Sequence, residues 1–190
     1  MWIPNGSGSC DLASCWGPYE YVGRLPWLLR PMAKGGRVFA AGNPGRTIQP
    51  VDVRDLAEFA LDCIVTSLSG TMNVTAQLEQ ATYGAMLEEC RVRTRGEAEL
   101  VWVDDAWLER QQVRQWAEIP LWRTATGAWN VRSDRAWEAG LRCRPLDETI
   151  ADTWTWLGNH ELMRHGRRDE IGLAPVKEQA LLDAWRQAHQ

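Results

Sequence analysis

The chain has 190 residues, 45% of them hydrophobic, and a formal net charge of -4, which suits one domain or one large and one small unit with a real core. No basic stripe marks a nucleic-acid footprint, and no apolar run approaches the roughly 20 residues of a membrane-spanning helix. The N-terminal stretch has neither a basic n-region nor an apolar h-region, so the expectation is a cytoplasmic protein with no nucleic-acid or membrane partner.

Residues 1–15 read as an irregular segment around Gly6, Ser7, Gly8 and Ser9. Trp16-Gly17-Pro18-Tyr19 is a turn, because proline fixes one dihedral and glycine permits a positive one. Pro26 to Ala33 predicts a short apolar helix ended by Gly35-Gly36. Arg37 to Ala40 predicts a strand, and Gly42-Asn43-Pro44-Gly45 a turn. Thr47 to Val51 is extended. Asp52 then sits at a helix N-cap, with Asp55 in the first turn, where acidic side chains satisfy free N–H groups. Leu56, Phe59, Ala60, Cys63 and Ile64 recur at helical spacing, so Val53 to Ser67 is a helix.

Thr71 to Thr75 predicts a strand, and Thr82 caps a helix running to Arg93 with Ala85, Met86 and Cys90 inward. Leu100 to Val103 is a strand of β-favouring residues. Asp104 or Asp105 opens a short helix to Arg110, and Gln115 to Trp122 is a turn around Pro120. Ser133 caps a helix ended near Gly140, Pro145 starts one running to about Leu157, and Pro175 to Ala188 is a charged amphipathic helix. The fold class is therefore α/β, with short strands between helices.

Five cysteines, Cys10, Cys15, Cys63, Cys90 and Cys143, are widely spread, and no second close pair or nearby histidine completes a zinc site. They read as reduced thiols, and no metal ligand is assigned. Tryptophan occurs 12 times against two Phe and three Tyr. Packing is the simpler use of so many indoles, a flat-ligand platform the other.

The segments Gly17 to Trp27, Gly35 to Ala40, Gln49 to Ala57, Gly70 to Thr75 and Val131 to Leu146 together resemble, in order and spacing, the substrate-binding, C-terminal half of the NAD-dependent epimerase/dehydratase family of extended or atypical short-chain dehydrogenases. The resemblance covers a region at 16–158, with 159–190 left as a charged linker and a C-terminal helix. It implies an incomplete C-terminal portion of an NAD(P)-binding Rossmann-type epimerase/reductase. The Gly-rich dinucleotide turn of that family and its Tyr-x-x-x-Lys pair do not occur: Tyr19, Tyr21 and Tyr83 are followed four positions on by Gly23, Leu25 and Leu87. No catalytic residue is assigned.

The resemblance places Gly17 and Pro18 near the nicotinamide of NAD or NADP, and Tyr19, Arg24, Trp27, Arg46 and Gln49 on the substrate side. Arginine forks match carboxylates and phosphates. A solvated surface position is the simpler reading for Arg54 and an even alternative for Arg24 and Arg46. Asp52 and Asp55 read as caps, and His160 and His165 as exposed. The expectation is an oxidoreductase fragment acting on a small hydroxy- or keto-substrate. It would be inactive and without NAD(P) affinity in the absence of a nucleotide-binding half, which is either supplied by another chain or lost from the gene. The alternative is a non-catalytic small-molecule or protein-binding module derived from that lobe. A lobe without its other half is also expected to self-associate and to expose Trp16, Trp27, Leu28, Phe59 and Cys63.

Overall fold

The computed structural model describes residues 15–162, 166 and 171–189; Cys10 and His165 lie outside them. In chain order the elements are β1 (Cys15–Trp16), α1 (Arg24–Lys34), β2 (Gly36–Ala41), β3 (Thr47–Ile48), β4 (Val51–Asp52), α2 (Val53–Val65), β5 (Ala81–Thr82), α3 (Tyr83–Thr94), β6 (Ala98–Val103), α4 (Asp105–Arg110), α5 (Asp134–Glu138), α6 (Leu146–Asn159) and α7 (Pro175–Ala188). The strands form three separate pairs: β1 with β4 and β2 with β6, both parallel, and β3 with β5, antiparallel.

The β2–β6 pair organises the interior. It runs in register from Gly36 opposite Ala98 to Ala41 opposite Val103. Side chains alternate between the faces of a strand, so Val38 and Ala40 enter one core while Phe39 and Ala41 enter another. The first core gathers Leu25, Leu28, Leu29 and Met32 of α1, Met86, Leu87 and Cys90 of α3, and Ile150 of α6. The second gathers Trp107 and Leu108 of α4, Ile119, Trp122, and Leu181 and Leu182 of α7. Helices thus cover both faces, as a parallel pair requires. A smaller cluster of Phe59, Ala136 and Leu141 joins α2 to α5.

Helix starts follow the sequence. Asp52 accepts the N–H of Arg54, Thr82 that of Ala85, and Asp104 that of Trp107. Several local expectations are corrected. Residues 71–75 form no strand. No neighbouring strand reaches them, and their carbonyls are met by side chains instead: Arg135 donates to Thr71 O, while Ser133 Oγ and Trp137 Nε1 donate to Thr75 O. Ser133 spends its hydroxyl there and makes no side-chain cap. Asp55 does not cap α2: its carboxylate takes the backbone N and Nε of Arg144, at 2.8 and 2.6 Å. Arg54 is not a loose surface cation, since it bonds Asp52 through Nε and Nη2, at 2.9 and 2.7 Å, and Asp152 through Nη1, at 2.6 Å.

The expected exposed patch is also corrected. Trp16, Leu28 and Phe59 are buried, and Trp27 and Cys63 are partly buried. Trp16 and Leu28 are covered inside the first core and Phe59 by α5. Among the described residues, no helix is long and apolar enough to cross a membrane.

Candidate functional site

Two clefts are candidates. The larger, 330 Å³, is lined by Pro50, Asp52, Gln80, Cys143, Arg144 and Thr149 among others. Its charges are already answered. Asp52 Oδ2 accepts from Thr149 Oγ1 at 2.8 Å and from Arg54, and Arg144 is held by Asp55 and Glu148. Burial pushes the Asp52 carboxyl up, but the Arg54 fork, the Arg54 N–H and the Thr149 hydroxyl outweigh it, so the group is held below its ordinary value. Burial pushes the Cys143 thiol up to about 11, with Asp55 and Asp52 adding to the shift, which keeps it protonated near neutrality and a poor nucleophile. This cleft is a completed polar network.

The second cleft, 260 Å³, is lined by Arg46, Thr47 and the run from Arg123 to Asn130. It lies at the carboxyl end of the β2–β6 pair, where ligands sit in open parallel sheets. Past Ala41, Gly42 donates its N–H to Val103 O at 2.8 Å. Gly42 has φ 72°, and a Cβ there would stand 2.1 Å from Asp105 Oδ1, so only glycine fits. The turn then folds back: Gly84 N donates to Pro44 O and Tyr83 N to Arg46 O, both at 2.8 Å. This stapling to the start of α3 aims Arg46 at Asp105, with which its Nη2 forms an ion pair. Trp122 Nε1 donates to the other Asp105 oxygen at 2.7 Å.

The opposite wall is aromatic and basic. Arg123 lies 4.5 Å from the centre of the Trp116 ring and Arg24 lies 5.2 Å from it, while Trp129 meets Trp116 at 5.7 Å. Guanidinium groups over an indole face are attracted by the ring quadrupole. Gln49 anchors the far end. Its Nε2 donates to Ala76 O and Val131 O, at 3.0 and 2.9 Å, and its Oε1 accepts Val131 N at 2.8 Å.

Unlike the first cleft, this one has donors left over. Arg46 Nη1, Trp129 Nε1 and the Tyr83 hydroxyl are buried and make no hydrogen bond within the protein. Burial raises the Tyr83 pKa, so the phenol stays a neutral donor. Buried polar groups normally find partners. Two of these donors, on Arg46 and Trp129, belong to cleft-lining residues with Arg123 beside them in the wall, while the Tyr83 hydroxyl lies in the first core.

Of the expected substrate-side residues, Arg46 lines this cleft, and Arg24 and Gln49 lie behind its walls. Arg24 stands behind Trp116, and Gln49 holds the loop with an amide fully engaged inside the protein. Trp27 packs between the two main cores, with Gly172 against its indole. Tyr19 is elsewhere, exposed and against Trp156 and His160, with ring centres 5.1 and 5.9 Å away. His160 is exposed and stacks on Trp156. Gly17 has φ 131°, and a Cβ there would meet the Asp52 carboxylate and Val53, with half-buried Pro18 beside it. Sequence reasoning missed Arg123, Trp116 and Trp129. The density of indoles beside arginine in 114–130 was the available signal, and it read only as a turn.

A dinucleotide pyrophosphate needs free backbone N–H groups at a helix start. The chain leaves β1 through Gly17 and Pro18 into α1, but the first α1 donors are taken: Glu20 accepts Arg24 N at 2.8 Å and Leu25 N at 3.0 Å. An acidic side chain in that place repels a phosphate, so the start of α1 does not fit a pyrophosphate.

No protein-family model matches the sequence, and no curated protein does. Solved structures are similar in fold. A GDP-L-fucose synthetase from Naegleria fowleri bound to NADP has a TM-score of 0.55 at 16% identity, over 80% of this chain and 45% of that one. RMD from Pseudomonas aeruginosa complexed with NADPH has a TM-score of 0.51 at 14% identity, over 77% of this chain and 47% of that one. The chain thus has part of an α/β fold shared with NADP-binding proteins and spans less than half of their length.

Proposed function

We propose that this chain is the substrate-binding, C-terminal lobe of an NAD(P)-dependent epimerase- or reductase-type oxidoreductase. The Arg46–Arg123–Trp129 cleft takes a hydroxy- or keto-substrate through an anionic, acceptor-rich group. The observation that carries the reading is the set of unpartnered buried donors at that cleft, in a fold similar to NADP-bound proteins. Arg46 and Arg123 bind and orient the anion, Trp129 offers an N–H to a substrate oxygen, and Trp116 stiffens both Arg123 and Arg24. Gly17, Pro18 and Tyr19 would face the other half, which supplies NAD(P) and the hydride chemistry.

Titration calorimetry of the purified chain tests the binding step, with GDP-L-fucose, inorganic phosphate and lactate as probes. At least one anion should bind, with a heat lost in both Arg46→Met and Arg123→Met. Heats that are absent, or that survive both substitutions, would sink the reading. A second reading is a binding module without chemistry, favoured by the missing Tyr-x-x-x-Lys pair. Anion binding without turnover, in the presence of a nucleotide-binding partner and NADPH, would select it.

A further inference from the structure

The second cleft carries little net charge. Two guanidinium groups line it, those of Arg46 and Arg123. Arg46 is answered by Asp105, whose other oxygen takes Trp122 Nε1 at 2.7 Å. Arg123 has no ion pair among the described residues and rests on the Trp116 ring. The surroundings add no positive charge. Arg24, behind Trp116, has Glu20 beside it, and Glu109 stands behind Thr124, whose hydroxyl donates to it at 2.7 Å. The cleft therefore offers one uncommitted positive charge, on Arg123.

That charge decides between kinds of anion. A carboxylate carries a single negative charge, and a guanidinium fork fits its two oxygens. A phosphate monoester carries about −1.5 to −2 near neutral pH. Its second charge would enter the cleft with no cation left to meet it, close to Asp105 and Glu109. A charge taken out of water without a partner is costly.

Shape narrows the rest of the ligand. Beside the arginines the lining is apolar, formed by the Trp129 indole and the methyls of Ala125 and Ala128. Trp129 is half-buried and braced by Trp116, their rings tilted by 47°. An indole held in this way favours a ring packed against it. The volume, 260 Å³, falls below the roughly 300–1,000 Å³ of sites for drug-sized ligands. It suits one ring with a short acidic arm.

We propose that this cleft selects a ring-bearing hydroxy- or keto-acid with a single carboxylate. The carboxylate takes the Arg123 fork, the ring lies against Trp129, and Asp105 keeps doubly charged anions out by cancelling Arg46. This rests on the reading of the cleft as a substrate site, and it names the class of acid the site takes.

Titration calorimetry of the full chain near neutral pH compares mandelate, lactate and phenyl phosphate. Mandelate should bind about tenfold more tightly than lactate, which lacks the ring. It should also bind about tenfold more tightly than phenyl phosphate, which keeps the ring and adds charge. Asp105→Asn keeps an acceptor for Trp122 and removes the carboxylate charge, so it should close most of the gap between phenyl phosphate and mandelate. The three-ligand comparison uses the unaltered protein and holds even if that variant does not fold. Lactate or phenyl phosphate binding as tightly as mandelate overturns the proposal and leaves the anion site standing. An unchanged gap in folded Asp105→Asn does the same. No heat with any of the three, in a protein that melts cooperatively, sinks the substrate-site reading together with the proposal.

Discussion

Two arginine-rich regions of this molecule use the same chemistry to opposite ends. Around Arg54 and Arg144, two buried carboxylates, Asp52 and Asp55, meet two guanidinium groups and a threonine hydroxyl. Around Arg46 and Arg123, a single carboxylate, Asp105, pairs with one guanidinium while the other rests on an indole. The first region joins α2 to α6 and has nothing left to offer. The second keeps buried donors in reserve. Cleft size alone would have chosen the first, and the state of the polar groups chooses the second.

The comparison breaks most visibly if the first network is not structural. Asp55→Ala removes the buried acceptor of both the backbone N and Nε of half-buried Arg144. Arg144 keeps Asp52 and Glu148 as weaker partners. Losing two hydrogen bonds to a charged group costs about 3 kcal/mol. For a chain of this size that lowers Tm by about 6–12 °C. Calorimetric melting should show the loss while anion affinity at the Arg46 cleft stays unchanged in the folded protein. A loss below about 1 kcal/mol, the value of a surface pair, would mean that the network is solvated.

Gln49 connects the regions and should show mixed behaviour. Gln49→Leu leaves Ala76 O and both backbone groups of Val131 without their partner. The expected cost is about 2 kcal/mol, the scale of unsatisfied buried polar groups. The Thr124–Asn130 wall loses its anchor, so anion binding should weaken as well. Loss of stability with intact binding would show that the wall holds itself.

Arg46→Met should do the reverse. The Arg46–Asp105 pair is partly exposed, so stability should change by no more than about 1 kcal/mol. Binding of the anion found by calorimetry should fall about tenfold, or 1.4 kcal/mol. A destabilised protein with unaltered affinity would move Arg46 into the structural class.

Much of the fold was legible because it is local. The caps at Asp52, Thr82 and Asp104 and the strand at Arg37 to Ala40 needed only neighbours in sequence. The exposed side of α2 was not legible, since Phe59 and Ile64 look alike as apolar helix residues and only α5 distinguishes them. Residues 71–75 have a strand's composition, but a strand needs a neighbour, and side-chain donors hold this segment instead. At the site, Arg46 and Arg24 came from resemblance. Arg123, Trp116 and Trp129 could not, because their meeting depends on how 114–130 folds back over the end of β2.

The smallest effect expected is on pH dependence, and it separates two carboxylates that both serve helix starts. Asp52 is held below its ordinary 3.8, burial being outweighed by Arg54 and Thr149. A depressed folded-state pKa contributes stability that is present above the unfolded value and lost as pH falls through the folded one. Glu20 goes the other way: burial pushes it above its ordinary 4.5, more than the Leu25 and Arg24 N–H groups and the Arg24 charge pull it down. Its ionised form therefore costs stability, and the cost is relieved as pH falls from the folded value toward 4.5. Urea midpoints should rise slightly on mild acidification and then drop below about pH 4. Glu20→Gln removes the ionisable group while keeping one acceptor for the α1 start, so it should flatten the rise and leave the drop. If the rise persists in Glu20→Gln, another group causes it, and the α1 start is not the strained one of the two.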